Sequence, residues 1–236
     1  MILSLLHAPS EGIGIIEDYL VAKELEHSHI KLYENQQLPE SFENIDAVFV
    51  MGGYMNVYEE EKYPFLLQEN AFIKKLLEKQ IPVLGICLGG QLIAKAAGYK
   101  INKAPKSEIG WDSIKLTQSA QKDILFKGCQ QDLTVFQWHG DMFNITDEKF
   151  VLATSDVCQQ AFKVGKNAYG LQFHFEVTPQ MAKEWTRELT AQEKLKYKAN
   201  LIPVGFIENY GSCQKLALKL LENFFSVVNS ASNAYL

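Results

Sequence analysis

The segment Ile81-Pro-Val-Leu-Gly85-Ile-Cys87-Leu-Gly89-Gly90-Gln91 sets a cysteine between glycines two residues before and two after it, at the end of an apolar run. A nucleophile at the tip of a strand-to-helix turn sits in strained backbone geometry. The residues two before and two after it crowd together, so glycine is needed at both places. The helix expected from about Gly90 to Ala97 aims its N-terminal N–H groups and positive dipole end at the sulfur, which favours thiolate. The same turn offers the Leu88 backbone N–H to an oxyanion. The chemistry this spacing predicts is attack by Cys87 on a carbonyl carbon. A glycine-flanked core cysteine would give the same spacing with no chemistry, so a base has to be found.

Five histidines are candidates. His7 ends the first apolar run, and His27 and His29 flank a predicted helix end, where exposed or capping roles are expected. His139 and His174 remain. His174 closes the run Gly170-Leu-Gln-Phe-His174, and Glu176 follows two residues later. On an extended chain, residues i and i+2 face the same way about 6.5–7 Å apart. A glutamate so placed can orient an imidazole and stabilise its charge as the third member of a triad; a structural His–Glu pair is the alternative. Cys129, Cys158 and Cys213 lack the glycine frame and read as buried small hydrophobes. No CxxC pair occurs, and reduced thiols are expected.

These residues need elements to hold them. Apolar, β-branched runs at Ile2 to Leu6, Ala47 to Met51, Ile81 to Ile86, Thr134 to Gln137, Phe150 to Ala153 and Tyr169 to Phe173 read as strands. Helical periodicity covers Ile15 to Glu26 and Phe65 to Lys79, the second led in by Pro64 and ended before Pro82. Strand and helix in alternation imply right-handed crossovers onto a mostly parallel sheet with helices on both faces. From about Trp111 to Tyr169 consecutive strands suggest an antiparallel extension of that sheet. Helices are expected at Pro179 to Arg187 and about Ser212 to Val227, with an irregular stretch at Leu201 to Gly211. No repeat or linker divides the chain. One domain over 1–236 is expected, with 187–236 a helical C-terminal extension.

Composition excludes several roles. With 23 basic and 28 acidic residues the net charge is −5, which argues against a nucleic-acid partner. A hydrophobic share of 47% with 22% charged residues indicates a folded chain and not a disordered one. No apolar run approaches the roughly 18 residues of a membrane span. Met1 to Leu6 lacks the basic start of a signal peptide and reads as a first strand, so a cytoplasmic location is expected. Lys194, Lys196 and Lys198 read as a solvated helix face. Trp185 and the Phe224/Phe225 pair read as packing residues.

Gly85-Ile-Cys-Leu-Gly-Gly-Gln91 together with Phe173-His174-Phe-Glu176 resembles the class I, triad-type glutamine amidotransferases. Within them the chain is most similar to stand-alone proteins related to the amidotransferase domain of GMP synthase. That likeness rests on Met51-Gly52-Gly53, Glu108-Ile-Gly-Trp111, Val135-Phe-Gln-Trp-His139-Gly-Asp141 and Gly170-Leu-Gln-Phe-His174, and it spans about residues 45 to 180. The resemblance implies a flavodoxin-like α/β fold, Cys87 as nucleophile, His174 as base and then acid, and Glu176 as the orienting carboxylate. It makes Gly53 the second oxyanion donor beside Leu88. Gln91 and the main chain around Trp138, His139 and Gly140 would hold the γ-glutamyl portion of the substrate. Two positions depart from the family pattern: Phe175 stands where proline is common, and Tyr54 replaces a proline after Gly52-Gly53. The first leaves the shared face of His174 and Glu176 intact; the second bears on the substrate.

The implied reaction is cysteine-dependent hydrolysis of a γ-glutamyl amide through a thioester, on glutamine or on a γ-glutamyl compound such as a glutathione-like peptide. No cofactor or metal is implied. Family relatives commonly pass ammonia to a synthetase, but this chain carries no Ser-Gly-Gly nucleotide loop or G-x-x-x-x-G-K-[ST] segment. An unlinked synthetase subunit is therefore a candidate partner. A free-standing hydrolase, a non-catalytic binding protein on the same fold, and the elbow-cysteine family of protease, chaperone and deglycase type are the other readings. His174-x-Glu176 with Gly52-Gly53 favours the amidotransferase side.

Overall fold

In the computed structural model, which describes residues 1–232, alternating strands and helices build the first half of one sheet. They are β1 (Ile2–Leu6), α1 (Ile15–Ala22), β2 (His27–Lys31), β3 (Ala47–Val50), α2 (Phe65–Glu78), β4 (Val83–Ile86) and α3 (Leu88–Ala96). A run of strands follows: β5 (Lys100–Leu116), β6 (Asp132–Asn144), β7 (Val151–Thr154), β8 (Gln159–Val164) and β9 (Ala168–Leu171). Three helices end the described chain: α4 (Pro179–Glu188), α5 (Ala191–Lys196) and α6 (Ile202–Ser232). Residues 233–236 of the expected extension lie outside the described residues.

The strand order is β2-β1-β3-β4-β9-β8-β7-β5-β6. Neighbours from β2 through β9 are parallel, and those from β9 to β6 antiparallel, as the alternation and the later run of strands predict. Side chains alternate across the parallel half because a strand repeats every two residues. Leu3, Leu5, Val48 and Val50 pack with α2 and α3 on one face, while Ile2, Phe49, Leu84 and Ile86 pack with α1 and α6 on the other. Each such apolar side chain contributes about 1.5–3 kcal/mol. The order reverses between β1 and β3, and open parallel sheets place their ligand clefts beyond the strand ends at such a switch.

Two expectations are corrected. The helix expected to reach Glu26 stops at Ala22, because Glu24 turns to φ 53 and Leu25 N–H closes onto the Leu20 oxygen at 3.0 Å. The freed chain forms edge strand β2. His27 and His29 therefore alternate along a strand, each Nε2 lying 3.2 Å from a Glu17 carboxylate oxygen. The stretch Leu201 to Gly211 is helical from Ile202. Pro203 falls in the first turn, where a missing N–H is tolerated. Gly205 lies against Trp111, where a Cβ would collide with the indole. Its type reflects close packing, not a break.

Candidate active site

The turn from β4 into α3 holds Cys87 at φ 51, ψ −108, with its N–H donating to the Leu171 oxygen of the neighbouring parallel strand at 2.8 Å. A non-glycine residue in this region is strained and persists only where its surroundings enforce it. The surroundings here are backbone. A Cβ on Gly85 would strike the Gly89 main chain, and one on Gly89 would strike the Val50 oxygen. The flanking glycines thus serve the crowding that their spacing predicts. Cys87 is 6% exposed and opens on a cleft of about 320 Å³.

Gly53 and Leu88 line the same cleft. Neither backbone N–H has an acceptor among the described residues, so both are free for a ligand. A Cβ on Gly53 would meet Leu88 Cδ2 and Met55 Sδ at 2.6 Å, so a larger residue in this turn would have to displace both side chains.

Just beyond β9, His174 is held by its own N–H donating to the Phe136 oxygen at 2.8 Å. Its Nδ1–H donates to Glu176 Oε1 at 2.6 Å, both side chains being buried. The i, i+2 placement thus delivers the pair, with Phe175 between them pointing into the core. Apart from the Cys87 sulfur beside it, His174 Nε2 has no hydrogen-bond partner. Burial alone would lower the His174 pKa, but the Glu176 carboxylate and the neighbouring Cys87 sulfur outweigh it and hold it well above the usual histidine range. The Cys87 thiol itself lies 3.7 Å from the Trp138 oxygen.

Gln91, Trp138, His139 and Gly140 all reach the cleft wall. The Gln91 amide donates to the Asp141 oxygen at 3.1 Å and to Gln172 Oε1 at 3.2 Å. His139 Nδ1–H donates to the same Asp141 oxygen at 3.0 Å, and its Nε2 stands 3.1 Å from Glu108 Oε2. Two side chains from different elements therefore pin one carbonyl of β6. Burial pushes the Glu108 carboxyl up, but His139, Ser155 and Cys158 outweigh this and leave it below the usual range. Cys158 is half-buried, and burial with the Glu108 charge beside it pushes its thiol up to about 12. It is a partner of a polar network and not the plain hydrophobe its sequence context suggests.

Several residues in and behind the cleft escaped the sequence reading. Glu11, in the loop after β1, has its carboxylate against Gly52, where a Cβ would also meet His174 Cε1 at 3.1 Å. Burial raises the Glu11 carboxyl to about 7, despite the lowering influence of His174 and His7. His7 is not exposed or capping: it is fully buried between Glu69 and the Gly52 oxygen. Trp185 from α4, Glu193 from α5 and Tyr197 form the far wall. Glu11 and His7 come from a loop and a strand end with no motif around them. The α4–α5 wall is brought in by tertiary packing alone.

Two groups among the described residues place three metal-capable atoms within 4.8 Å of one another: Glu17, His27 and His29 on the β2 edge, and Glu108, His139 and Cys158 behind the cleft. In both the carboxylate already faces histidine nitrogens.

The fold and site together define an α/β protein with a cysteine at a strand-to-helix elbow and a buried His–Glu pair just beyond the adjacent parallel strand. Residues 15–216 match the family model described as glutamine amidotransferase class-I. The chain is 32% identical over 177 residues to the glutamine amidotransferase-like protein YfeJ of Salmonella typhimurium, covering 73% of this chain and 74% of that one. It is 30% identical over 154 residues to the GMP synthase of Porphyromonas gingivalis, covering 64% of this chain but only 29% of that protein. Among solved structures, a glutamine amidotransferase from Thermotoga maritima superposes with TM-score 0.86 at 34% identity, over 94% of this chain and 96% of the other. The chain belongs to the class-I glutamine amidotransferase family, which hydrolyses or transfers the glutamine amide.

Proposed function

We propose that the protein hydrolyses γ-glutamyl amides through a γ-glutamyl thioester on Cys87. The observation that carries this reading is Cys87 held at positive φ beside His174, whose Nδ1–H is committed to Glu176 while Nε2 has no other partner. Cys87 attacks as a thiolate, its proton resting on His174 Nε2, and the sulfur bonds to the amide carbon. The carbonyl oxygen becomes an oxyanion between the free N–H groups of Gly53 and Leu88. Collapse breaks the C–N bond, and His174 protonates the departing amine. Water, giving a proton to His174, then attacks the thioester, and glutamate leaves as the sulfur is released as thiolate with the proton kept on His174. Gln91, Trp138, His139 and Gly140 form the wall that would take the γ-glutamyl portion. No cofactor enters these steps.

Glutamine, with ammonia as leaving group, is the substrate the family favours. A γ-glutamyl peptide is the second reading, and the rim favours it: Tyr54 is 62% exposed where the family commonly has proline, and Glu193 and Tyr197 offer polar groups to a larger amine. The 43% identity over 105 residues to a glutamine-hydrolysing GMP synthase subunit of Methanococcus maripaludis supports a separate, ammonia-using synthetase chain as partner. We read the chain as one domain whose helical extension, from residue 187, walls the cleft, acting in the reducing cytoplasm where Cys87 stays a thiol.

The test is glutamate release by purified protein from glutamine and from γ-glutamyl peptides, with Cys87→Ala as control. Release that needs Cys87 is expected. No release from any of these, with Cys87 readily alkylated, would overturn the hydrolase reading in favour of a binding role.

A further inference from the structure

A second buried His–Glu pair sits behind the first and takes no direct part in the proposed steps. His7 follows β1 and Glu69 lies on α2; both are fully buried. His7 Nε2 lies 2.8 and 3.0 Å from the two Glu69 carboxylate oxygens, and Nδ1 lies 3.0 Å from the Gly52 oxygen. A carbonyl and an ionised carboxylate only accept. The Gly52 carbonyl can only accept, so Nδ1 carries hydrogen; against an ionised Glu69 carboxylate Nε2 carries one as well, and His7 is then an imidazolium paired with Glu69. Burial opposes that charge, but Glu69 and the Gly52 carbonyl outweigh it and raise the His7 pKa.

The Gly52 oxygen belongs to the same peptide as the Gly53 N–H. In a trans peptide the C=O and N–H point in opposite directions, and the chain has no cis bond among its described residues. A donor on one side of this unit therefore sets the direction of the N–H on the other. A peptide between two glycines has unusual rotational freedom. Turned over, it would present a carbonyl oxygen to the cleft, repelling an oxyanion, and would strip a buried charged donor of its acceptor.

We propose that His7, held by Glu69, is a positioning residue that fixes the Gly52–Gly53 peptide with its N–H aimed at the developing oxyanion. This rests on the hydrolase reading above. It also accounts for Gly53: a side chain there would press on Leu88, Met55 and, at 3.0 Å, on His7 Cβ. The same imidazolium polarises the peptide it grips, which strengthens the hydrogen bond on the far side.

The test separates a step that forms an oxyanion from one that does not. Alkylation of Cys87 by iodoacetamide displaces iodide at a saturated carbon and makes no oxyanion; amide hydrolysis makes one. His7→Phe is expected to lower kcat for glutamate release by about 10–100-fold, short of the loss from deleting an oxyanion donor. KM should move by less than about threefold and the alkylation rate should be unchanged. In Glu69→Gln the amide can donate to Nε2 and leave Nδ1–H on the Gly52 oxygen, so the loss should be several-fold smaller. A parallel fall in alkylation, or wild-type kcat in His7→Phe, would overturn the proposal alone. A wild-type protein that alkylates normally yet releases no glutamate would overturn the underlying reading, and the proposal with it. If His7→Phe does not fold, nitrogen-15 NMR of the wild-type imidazole decides: hydrogen on Nδ1 at neutral pH is expected, and a bare Nδ1 refutes the arrangement.

Discussion

The Trp185 indole stands edge-on to the His174 imidazole, with ring centroids 4.9 Å apart and planes at 65°. Its Nε1–H donates to the Ser10 oxygen at 2.8 Å, which ties α4 to the loop that carries Glu11. One side chain thus packs against His174 and ties down the loop that carries Glu11. Trp185→Ala should cost about 3–5 kcal/mol in urea unfolding and lower glutamate release by loosening the imidazole. Trp185→Phe keeps the apolar wall and should cost about 1 kcal/mol, the worth of the lost hydrogen bond.

The two histidines near the cleft should separate kinetically. Glu176→Gln is expected to lower kcat by about 10²–10⁴-fold, since it removes the charge and the acceptor that hold Nδ1–H. His174→Ala should suppress thioester formation, seen as loss of the γ-glutamyl adduct by mass spectrometry. His139→Ala, which unpins the Asp141 carbonyl, should chiefly raise KM. The opposite pattern would reverse the assignment.

Glu11 predicts a pH dependence of stability. Its carboxyl is raised from 4.5 to about 7 in the folded state, so the folded chain holds this proton more tightly than the unfolded one. The stabilisation it gives is therefore fully present below about pH 4.5 and is lost as pH rises through about 7. Because His7 and His174 are also raised, the informative quantity is a difference. The Tm of wild type minus that of Glu11→Gln should fall across that window, and a flat difference would show that the Glu11 carboxyl is not shifted.

Gly89→Ala should fail at the fold and not at the chemistry. Its Cβ would land on the Val50 oxygen, a backbone atom with no rotamer to yield. Overpacking of this kind costs about 3 kcal/mol, and thermal melting should show it, with Cys87→Ala as the control for a small change in the same turn.

What the sequence made legible was local. Gly85-x-Cys87-x-Gly89 encodes its own crowding, and His174-x-Glu176 needs only a two-residue period, so both could be read without coordinates. Strand β2 could not: His27-Ser-His-Ile-Lys31 is half-polar because it lies at a sheet edge and faces Glu17. The start of α6 was obscured because Gly205 and Pro203 signal breaks when their neighbours are unknown. His7 meets Glu69 across 62 residues and Glu11 meets His174 only through the β1–β9 arrangement, and no periodicity carries such contacts.

The adjacency of β4 and β9 also sets an order of events. Cys87 and His174 follow strands that pair directly, yet 81 residues separate β4 from β9, and every one of β5 to β8 is synthesised in between. Until residues 168 to 174 have left the ribosome, β4 has an open edge, the Cys87 N–H lacks its Leu171 acceptor and the thiol lacks an imidazole. Domains fold as units, and non-local pairings come late. The nucleophile is thus made early and armed last, and a truncated or stalled chain would carry the cysteine without its reactivity.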